Sequence, residues 1–318
     1  MPSRADLASG ELPPLVAVVG PTGVGKTRVS IALCQEVDGE IVSADSRQIY
    51  RHVDIGTAKP TAGERSLVPH HLVEIVGPDE SFTLAQYQGL AYQAIDDILE
   101  RRKVPFLVGG TGLYVRAVLE GFVIPRVKPE QGLRERLRME AARDGGAALH
   151  ARLEMVDPEA AARINPRNVR RVIRALEVYE TLGRPISSLQ DRKPPPYRVL
   201  KIGLTMDREE LYGRLDQRVE RMIENGLVAE VKGLLEAGYS PDLPAMSGLG
   251  YRQICGYLRG ETDLATAVSH IKSETHRFVR QQYKWFRLDN RSIHWFDVSD
   301  EPVGRILTMV EGFLEKSG

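Results

Sequence analysis

The chain has 318 residues, 42% hydrophobic and 27% charged, a balance that excludes long disorder and fibrous repeats. At this length a core can form without stapling, and two cysteines, Cys34 and Cys255, are too few for a zinc finger or a disulfide framework. The 43 basic and 43 acidic residues cancel, but Arg126–Arg174 carries twelve against seven and Arg277–Arg291 five against one. No apolar run approaches the ~20 residues that a membrane helix needs. The N-terminus around Arg4, Asp6 and Glu11 has no apolar stretch of signal-peptide length. A cytoplasmic protein with no membrane partner is expected, and a monomer, since no self-association stripe stands out.

Leu15–Val19 is a branched apolar run, the pattern of a strand buried on both faces of a parallel sheet. A glycine-rich loop follows, then helical periodicity over Arg28–Val37. Further strands are expected at Glu40–Val42 and Val104–Val108, with a helix over Leu84–Arg102 between them. This alternation is that of a doubly wound α/β domain. From Arg126 to about Arg192 only helical periodicity remains, broken at Asp157-Pro158 and Asn165-Pro166. Val199–Leu204 and Ile293–Phe296 then read as strands. The helical block therefore looks like an insertion between strands of one sheet.

The loop Gly20-Pro21-Thr22-Gly23-Val24-Gly25-Lys26-Thr27 fits G-x-x-x-x-G-K-[ST], placed as the motif requires between a buried strand and a helix. Its backbone N–H groups and the helix N-terminus suit a polyphosphate, Lys26 adds a charge, and Thr27 a hydroxyl suited to Mg2+. The usual second carboxylate is missing, because Pro105–Val108 runs into Gly109-Gly110-Thr111-Gly112. Asp45, at the end of the second strand, is the nearest acid. It either faces the cradle or forms the turn that opens Asp45–Tyr50, and position alone leaves both open.

Arg277, Arg280, Lys284, Arg287 and Arg291 are spaced 3, 4, 3, 4, which on a helix makes one basic line about 21 Å long. Phe278, Val279, Trp285 and Phe286 fall on other faces and can anchor it. Arg167, Arg170, Arg171 and Arg174 share a face opposite Val169, Ile173 and Leu176. Both stripes suit a polyanion, nucleic acid foremost, or else are solvated faces. Pro69-His70-His71 lacks a third ligand at metal spacing and reads as packing or hydrogen bonding. Asp207–Glu210 resembles a capping box, and Arg214 and Arg218 follow on one helix face. Ser247–Arg252 is a glycine-broken loop leading into a helix.

Together, Gly20–Thr27, Asp45–Tyr50, Asp54–Pro60, Pro69–Leu72, Val108–Tyr114, Asn168–Glu177 and Ser247–Arg252 resemble the tRNA dimethylallyltransferases (tRNA isopentenyltransferases), in the short bacterial form without a zinc finger. The resemblance implies a P-loop NTPase-like parallel sheet core, an α/β fold, with an all-helical insertion. The expected division is 1–125, 126–193 and 194–318. It implies transfer of a dimethylallyl group from dimethylallyl diphosphate to N6 of the adenine 3′ to the anticodon, in tRNAs reading codons that begin with U. Asp45 would be the general base, with Thr111 beside the reaction channel and Arg218 on the diphosphate. Gly20 to Thr27 would hold the diphosphate, and Thr27 the Mg2+. Contacts to the tRNA anticodon stem-loop would fall on Asp45, Ser46, Arg47 and Gln48, on Thr111 and Arg134, on Arg170, Arg171, Val172, Ile173 and Arg174, and on Ser247, Gly248, Leu249, Gly250, Tyr251 and Arg252. The alternatives are a P-loop nucleotide or small-molecule kinase, a free-adenylate alkyltransferase and an RNA-binding module without catalysis.

Overall fold

The computed structural model describes residues 12–125 and 127–315. Arg4, Asp6 and Glu11 near the N-terminus, and Arg126 at the expected start of the insertion, lie outside these. The first apolar run is strand β1 (Pro14–Val19), followed by helix α1 (Lys26–Glu36) and strand β2 (Gly39–Ser43). A short helix α2 (Ala62–Leu67) leads to the two-residue strand β3 (His70–His71). Helix α3 (Leu84–Glu100), capped by Thr83 and Gln86, precedes β4 (Val104–Gly109) and α4 (Gly112–Leu119).

Four helices come next: α5 (Gln131–Asp144), α6 (Gly146–Val156), α7 (Pro158–Arg163) and α8 (Val169–Leu182). The chain then returns as β5 (Arg198–Thr205), α9 (Arg208–Glu224), α10 (Leu227–Glu236), α11 (Tyr251–Leu258) and α12 (Leu264–Trp285). It ends with β6 (His294–Asp297) and α13 (Val303–Glu315). Among the described residues no helix is long and apolar enough to cross a membrane.

All strand pairs are parallel, in the order β3-β2-β4-β1-β5-β6. β1 lies between β4 and β5, which is why its run is apolar throughout. Val16 and Val18 face one core with Phe106, Ile202 and Leu204; Leu15, Ala17 and Val19 face the other with Leu107, Tyr87 and Ile95. A third apolar cluster, including Ile49, Val53, Leu227, Tyr251 and Ile271, lies among α9 to α12 and the loop after β2.

The chain divides into two units, one of residues 1–119 and 196–318, the other Glu120–Pro195. The boundary falls before Arg126 because Phe122 bridges Arg192 and the Val123 amide donates to Asp191, pairing the two ends of the insertion. Inside the insertion, Leu137, Leu149, Leu153 and Val172 are fully buried, so it has its own core.

Two helix expectations need correction. The basic line does not continue to Arg291, because α12 ends at Trp285. Beyond it the Asn290 amide donates to Arg287 and the Asn290 side chain accepts from the Ser292 amide, making a turn. Arg287 pairs with Asp289 instead of extending the stripe. Val279 and Phe286 are buried as anchors, but Phe278 and Trp285 remain over a third exposed. Arg167 likewise precedes α8, which is capped by the Asn168 side chain. At α9, Asp207 accepts from the Glu209 and Glu210 amides, so the cap forms on the Asp207 side.

The two histidines hydrogen-bond, as their sequence context indicates. His70 Nδ1 is 2.8 Å from the Val68 carbonyl, and His71 Nε2 is 2.8 Å from Glu40. Glu40 is 2% exposed on β2, and Arg101 clasps both its oxygens while Lys103 lies at 3.5 Å. The Arg101 bond, outweighing burial and helped by His71, lowers the Glu40 carboxyl to about 2. This stabilisation is present above the usual carboxylate range and is lost as pH falls through about 2. Removing Arg101 strands a buried carboxylate; with His71 and Lys103 still present, Arg101→Ala is expected to destabilise by about 3 kcal/mol. Urea unfolding of wild type and variant at neutral pH measures this directly.

Candidate active site

The site grows from three strand ends. The Ala44 amide donates to the Val108 carbonyl at 2.7 Å, and the Thr111 amide donates to the Ala44 carbonyl at 3.2 Å. The ladder between β2 and β4 thus runs past both strands and sets Asp45 close to Thr111. The Ser46 amide donates to the Thr111 hydroxyl at 3.1 Å, and that hydroxyl lies 3.3 Å from Ser46 Oγ. Asp45 Oδ1 accepts from the Arg47 amide at 2.8 Å and from the Gln48 amide at 3.4 Å. Asp45 also lines the central cavity, so it both forms the turn and faces the cradle.

The phosphate-type loop turns through Gly23 and Gly25, both at positive φ, and is anchored by the buried Pro21 and Val24. Lys26 Nζ donates to the Gly20 and Pro21 carbonyls at 3.0 and 2.7 Å. Gln282 ties this loop to the end of β4. It is 4% exposed, accepts from the Thr22 amide at 2.9 Å and donates to the Gly110 carbonyl at 2.9 Å. The sequence signal for Gln282 is faint: a polar residue at a core-facing position of α12.

A cavity of about 330 Å3 opens over these elements. Thr22, Lys26, Asp45, Thr111 and Arg218 line it together, with Ser46, Arg47, Ser247, Gly248, Leu249 and Tyr251. Burial pulls the Lys26 ammonium down to about 8, against the opposing pull of Asp45, and Arg218 adds to the drop. Burial also lowers Arg218, again opposed by Asp45. Lys26, Arg218 and Asp45 therefore share a poorly solvated space, with Arg47 also in the lining, and the net positive field favours a further anion. Arg214, four residues before Arg218, is exposed instead. Phe278 and Trp285 complete the lining, which explains why they are not core anchors.

Arg47 donates to the Pro244 carbonyl at 2.5 Å and to the Ser247 hydroxyl at 3.2 Å, joining the turn after β2 to the loop before α11. Tyr251 is fully buried; its hydroxyl donates to Glu230 and accepts from the Gly56 amide at 3.2 Å. Its polar group is thus spoken for within the fold. Gln48 donates to the Thr57 and Ala58 carbonyls and lies outside the cavity lining, as do Thr27, Gly250 and Arg252. Gly250 donates its amide to the Gln253 side chain at 3.0 Å, and Arg252 pairs with Glu274.

In the insertion, Val172 and Ile173 are 0% and 6% exposed, so their side chains belong to its core and are not available to a ligand. Glu177 is fully buried and gathers Arg134 and Arg174, with Arg134 bonds of 2.7 and 2.8 Å and an Arg174 bond of 2.7 Å. Burial pushes Glu177 up, but the two guanidinium groups outweigh it and hold it below the usual range. Arg134 and Arg174 are therefore structural first. Arg170 and Arg171 remain exposed.

The chain is similar to known proteins over most of its length. A model described as IPP transferase matches residues 48–289, and one described as isopentenyl transferase matches residues 13–68. The chain is 48% identical over 316 residues to a tRNA dimethylallyltransferase of Dehalococcoides mccartyi, covering 99% of this chain and 97% of that protein. It is 57% identical over 274 residues to the Roseiflexus castenholzii enzyme of the same name, covering 86% and 90%. The crystal structure of a tRNA isopentenylpyrophosphate transferase from Bacillus halodurans superposes with a TM-score of 0.71 at 42% identity, covering 96% and 97%. A eukaryotic dimethylallyltransferase caught acting on tRNA gives 0.82 at 26% identity, covering 96% and 80%. With one family model spanning most of the chain and close relatives matched nearly end to end, this chain belongs to the IPP transferase family.

Proposed function

We propose that the protein transfers a dimethylallyl group from dimethylallyl diphosphate to N6 of the adenine 3′ to the anticodon of tRNA. The observation that carries this reading is the shared cavity in which Asp45 faces Lys26 and Arg218. The N6 nitrogen attacks C1 of the donor as the C1–O bond to the diphosphate breaks. The N6 proton passes to the Asp45 carboxylate, and diphosphate leaves. An exocyclic amine conjugated to a purine is a weak nucleophile, so removing its proton in the transition state is worth roughly 10²–10⁴ in rate. Lys26, Arg218 and the loop amides stabilise the charge that gathers on the diphosphate oxygens.

Mg2+ fits this arrangement. The Thr27 hydroxyl, on the first turn of α1, takes no hydrogen-bond partner among the described residues. A hard cation held by one hydroxyl, water and diphosphate oxygens is ordinary for Mg2+. When bound, it would neutralise part of the leaving group's charge, with Thr27 as its protein ligand.

The acceptor adenine leaves its stack to reach Asp45, at a cost of a few kcal/mol that pocket contacts offset. Ser46, Arg47, Ser247 and Gly248 border the cavity on the Asp45 side and would meet the extruded nucleotide. The exposed Arg170 and Arg171 of the insertion would take phosphates of the anticodon stem.

Labelled dimethylallyl diphosphate with Mg2+ and either bulk tRNA or AMP tests the assignment. Label should enter tRNA and not AMP. Asp45→Asn should lower the rate at least ~10²-fold while tRNA binding persists. Undiminished labelling by the variant would remove Asp45 as base. Because Lys26 must carry its proton to hold the donor, kcat/KM for the donor should fall as pH rises through about 8. A profile flat to pH 9.5 would refute that role for Lys26. Binding of tRNA should weaken by orders of magnitude between 50 and 200 mM salt on the counterion-release argument, roughly as for other multi-phosphate contacts. A filter-binding titration reads this, and salt-insensitive binding would contradict the arginine contacts.

A further inference from the structure

The loop after β2 and the start of α11 form one wall of the cavity, through Gly56, Thr57 and Tyr251. Local contacts close the turn itself: the Thr57 hydroxyl donates to the Val53 carbonyl, the Ala58 and Lys59 amides donate to the Ile55 and Asp54 carbonyls, and Lys59 pairs with Asp54. They leave its outward-facing amides to be met from elsewhere in the chain. Three successive backbone amides of this loop point at one spot. The Asp54 and Ile55 amides donate to Glu230 Oε2 at 3.0 and 2.9 Å. The Gly56 amide donates to the Tyr251 hydroxyl at 3.2 Å, and that hydroxyl donates to Glu230 Oε1. A single carboxylate on α10, 176 residues from Asp54 in the chain, thus gathers the loop and the tyrosine.

The contact is close as well as polar. A Cβ at Gly56 would sit 2.4 Å from Tyr251 Cε2, so the loop backbone lies directly on the ring. From the loop the support passes on to the turn after β2. Gln48 donates to the Thr57 and Ala58 carbonyls, and its own amide donates to Asp45 Oδ1. Glu230 and Tyr251 thus hold Asp54–Gly56 from one side while Gln48 holds Thr57 and Ala58 from the other, and the Asp45 carboxylate keeps its own closer amide contact from Arg47 at 2.8 Å. None of these contacts involves Thr22, Lys26 or Arg218.

We infer that Glu230 is a positioning residue for the acceptor side of the site: through Tyr251 and the Asp54–Gly56 amides it fixes the wall against which the extruded adenine rests. This rests on the transfer reading above, because it takes the acceptor to be a base. A wall that touches the base in the ground state and the transition state alike acts as uniform binding. Its loss raises KM for the acceptor and leaves kcat nearly unchanged.

Two variants test this. Glu230→Gln keeps the shape but replaces one of the two accepting oxygens, facing either Tyr251 or the Asp54 and Ile55 amides, with a donor, and Tyr251→Phe removes the hydroxyl. Each should raise KM for tRNA on the order of tenfold, with kcat changed less than about threefold, as expected for uniform binding. The double variant should be no worse than the stronger single one, since both break the same link. Binding of inorganic diphosphate, followed by calorimetry, should change less than about twofold, because the donor side is untouched. Amide exchange at residues 54–56, read without substrate, should quicken in both variants.

Unchanged KM for tRNA, or an equal loss of diphosphate affinity, would overturn the inference. So would unaltered exchange at 54–56. A wild-type protein that fails to label tRNA would instead overturn the transfer reading, and the exchange experiment separates the two failures.

Discussion

Two backbone hydrogen bonds carry the site: Ala44 to Val108, and Thr111 to Ala44. They extend the pairing of β2 and β4 by one step beyond the last strand residue. Without that step, Asp45 and Thr111 would sit on independent loops, free to sample separate positions. With it, the Asp45 carboxylate is delivered by the sheet itself, the most rigid element available. Gln282 repeats the device on the other side, joining the Thr22 amide to the Gly110 carbonyl. The phosphate-type loop and the two neighbouring strand ends are thereby one piece.

That rigidity matters because of the charges it holds together. Lys26 and Arg218 are both depressed by burial and both supported by Asp45. Lys26 turns its ammonium onto the Gly20 and Pro21 carbonyls, which partly replaces lost water. A diphosphate would supply what those carbonyls supply only weakly, namely full negative charge in a low-dielectric space. The same carboxylate that steadies the two cations is the group assigned to accept the proton. Replacing that carboxylate would therefore also change the charge of the two cations that hold the leaving group.

The sequence makes the sheet readable because burial on both faces leaves a continuous branched run, as in Leu15–Val19 and Val199–Leu204. It hides β3, whose two residues carry no periodicity. It misleads at α12, where basic spacing continues past Trp285 into a turn set by Asn290. Lys26 is legible because the loop motif fixes its local backbone, whereas position leaves Asp45 open between turn and cradle and only the family resemblance gives it a role. Gln282 and Glu230 are not legible, since each acts on backbone far away in the chain, 260 residues in the case of Thr22 and Gln282. Val172, Ile173, Arg134 and Arg174 show the converse. A stretch can align with a binding segment while most of its side chains serve the insertion's own core.

The missing acid at the end of β4 follows from the same packing. A Cβ at Gly109 would meet the Ala44 carbonyl oxygen at 2.2 Å, and one at Gly110 would meet Gln282 Nε2 at 2.4 Å and the Gly20 carbonyl at 3.2 Å. At Gly109 no side chain fits while the strand ends remain joined as they are, and at Gly110 one would displace the Gln282 amide that ties the phosphate-type loop to the end of β4. A kinase-type carboxylate at Gly109 would require separating the chain after β2 from β4, and that would dismantle the support under Asp45. With the two strand ends joined, the acid stands after β2 and not at Gly109. Asp45 instead lines the cavity, where the proposed transfer has it take the nucleophile's proton. The glycine at the end of β4 and the backbone support under Asp45 thus share one steric cause.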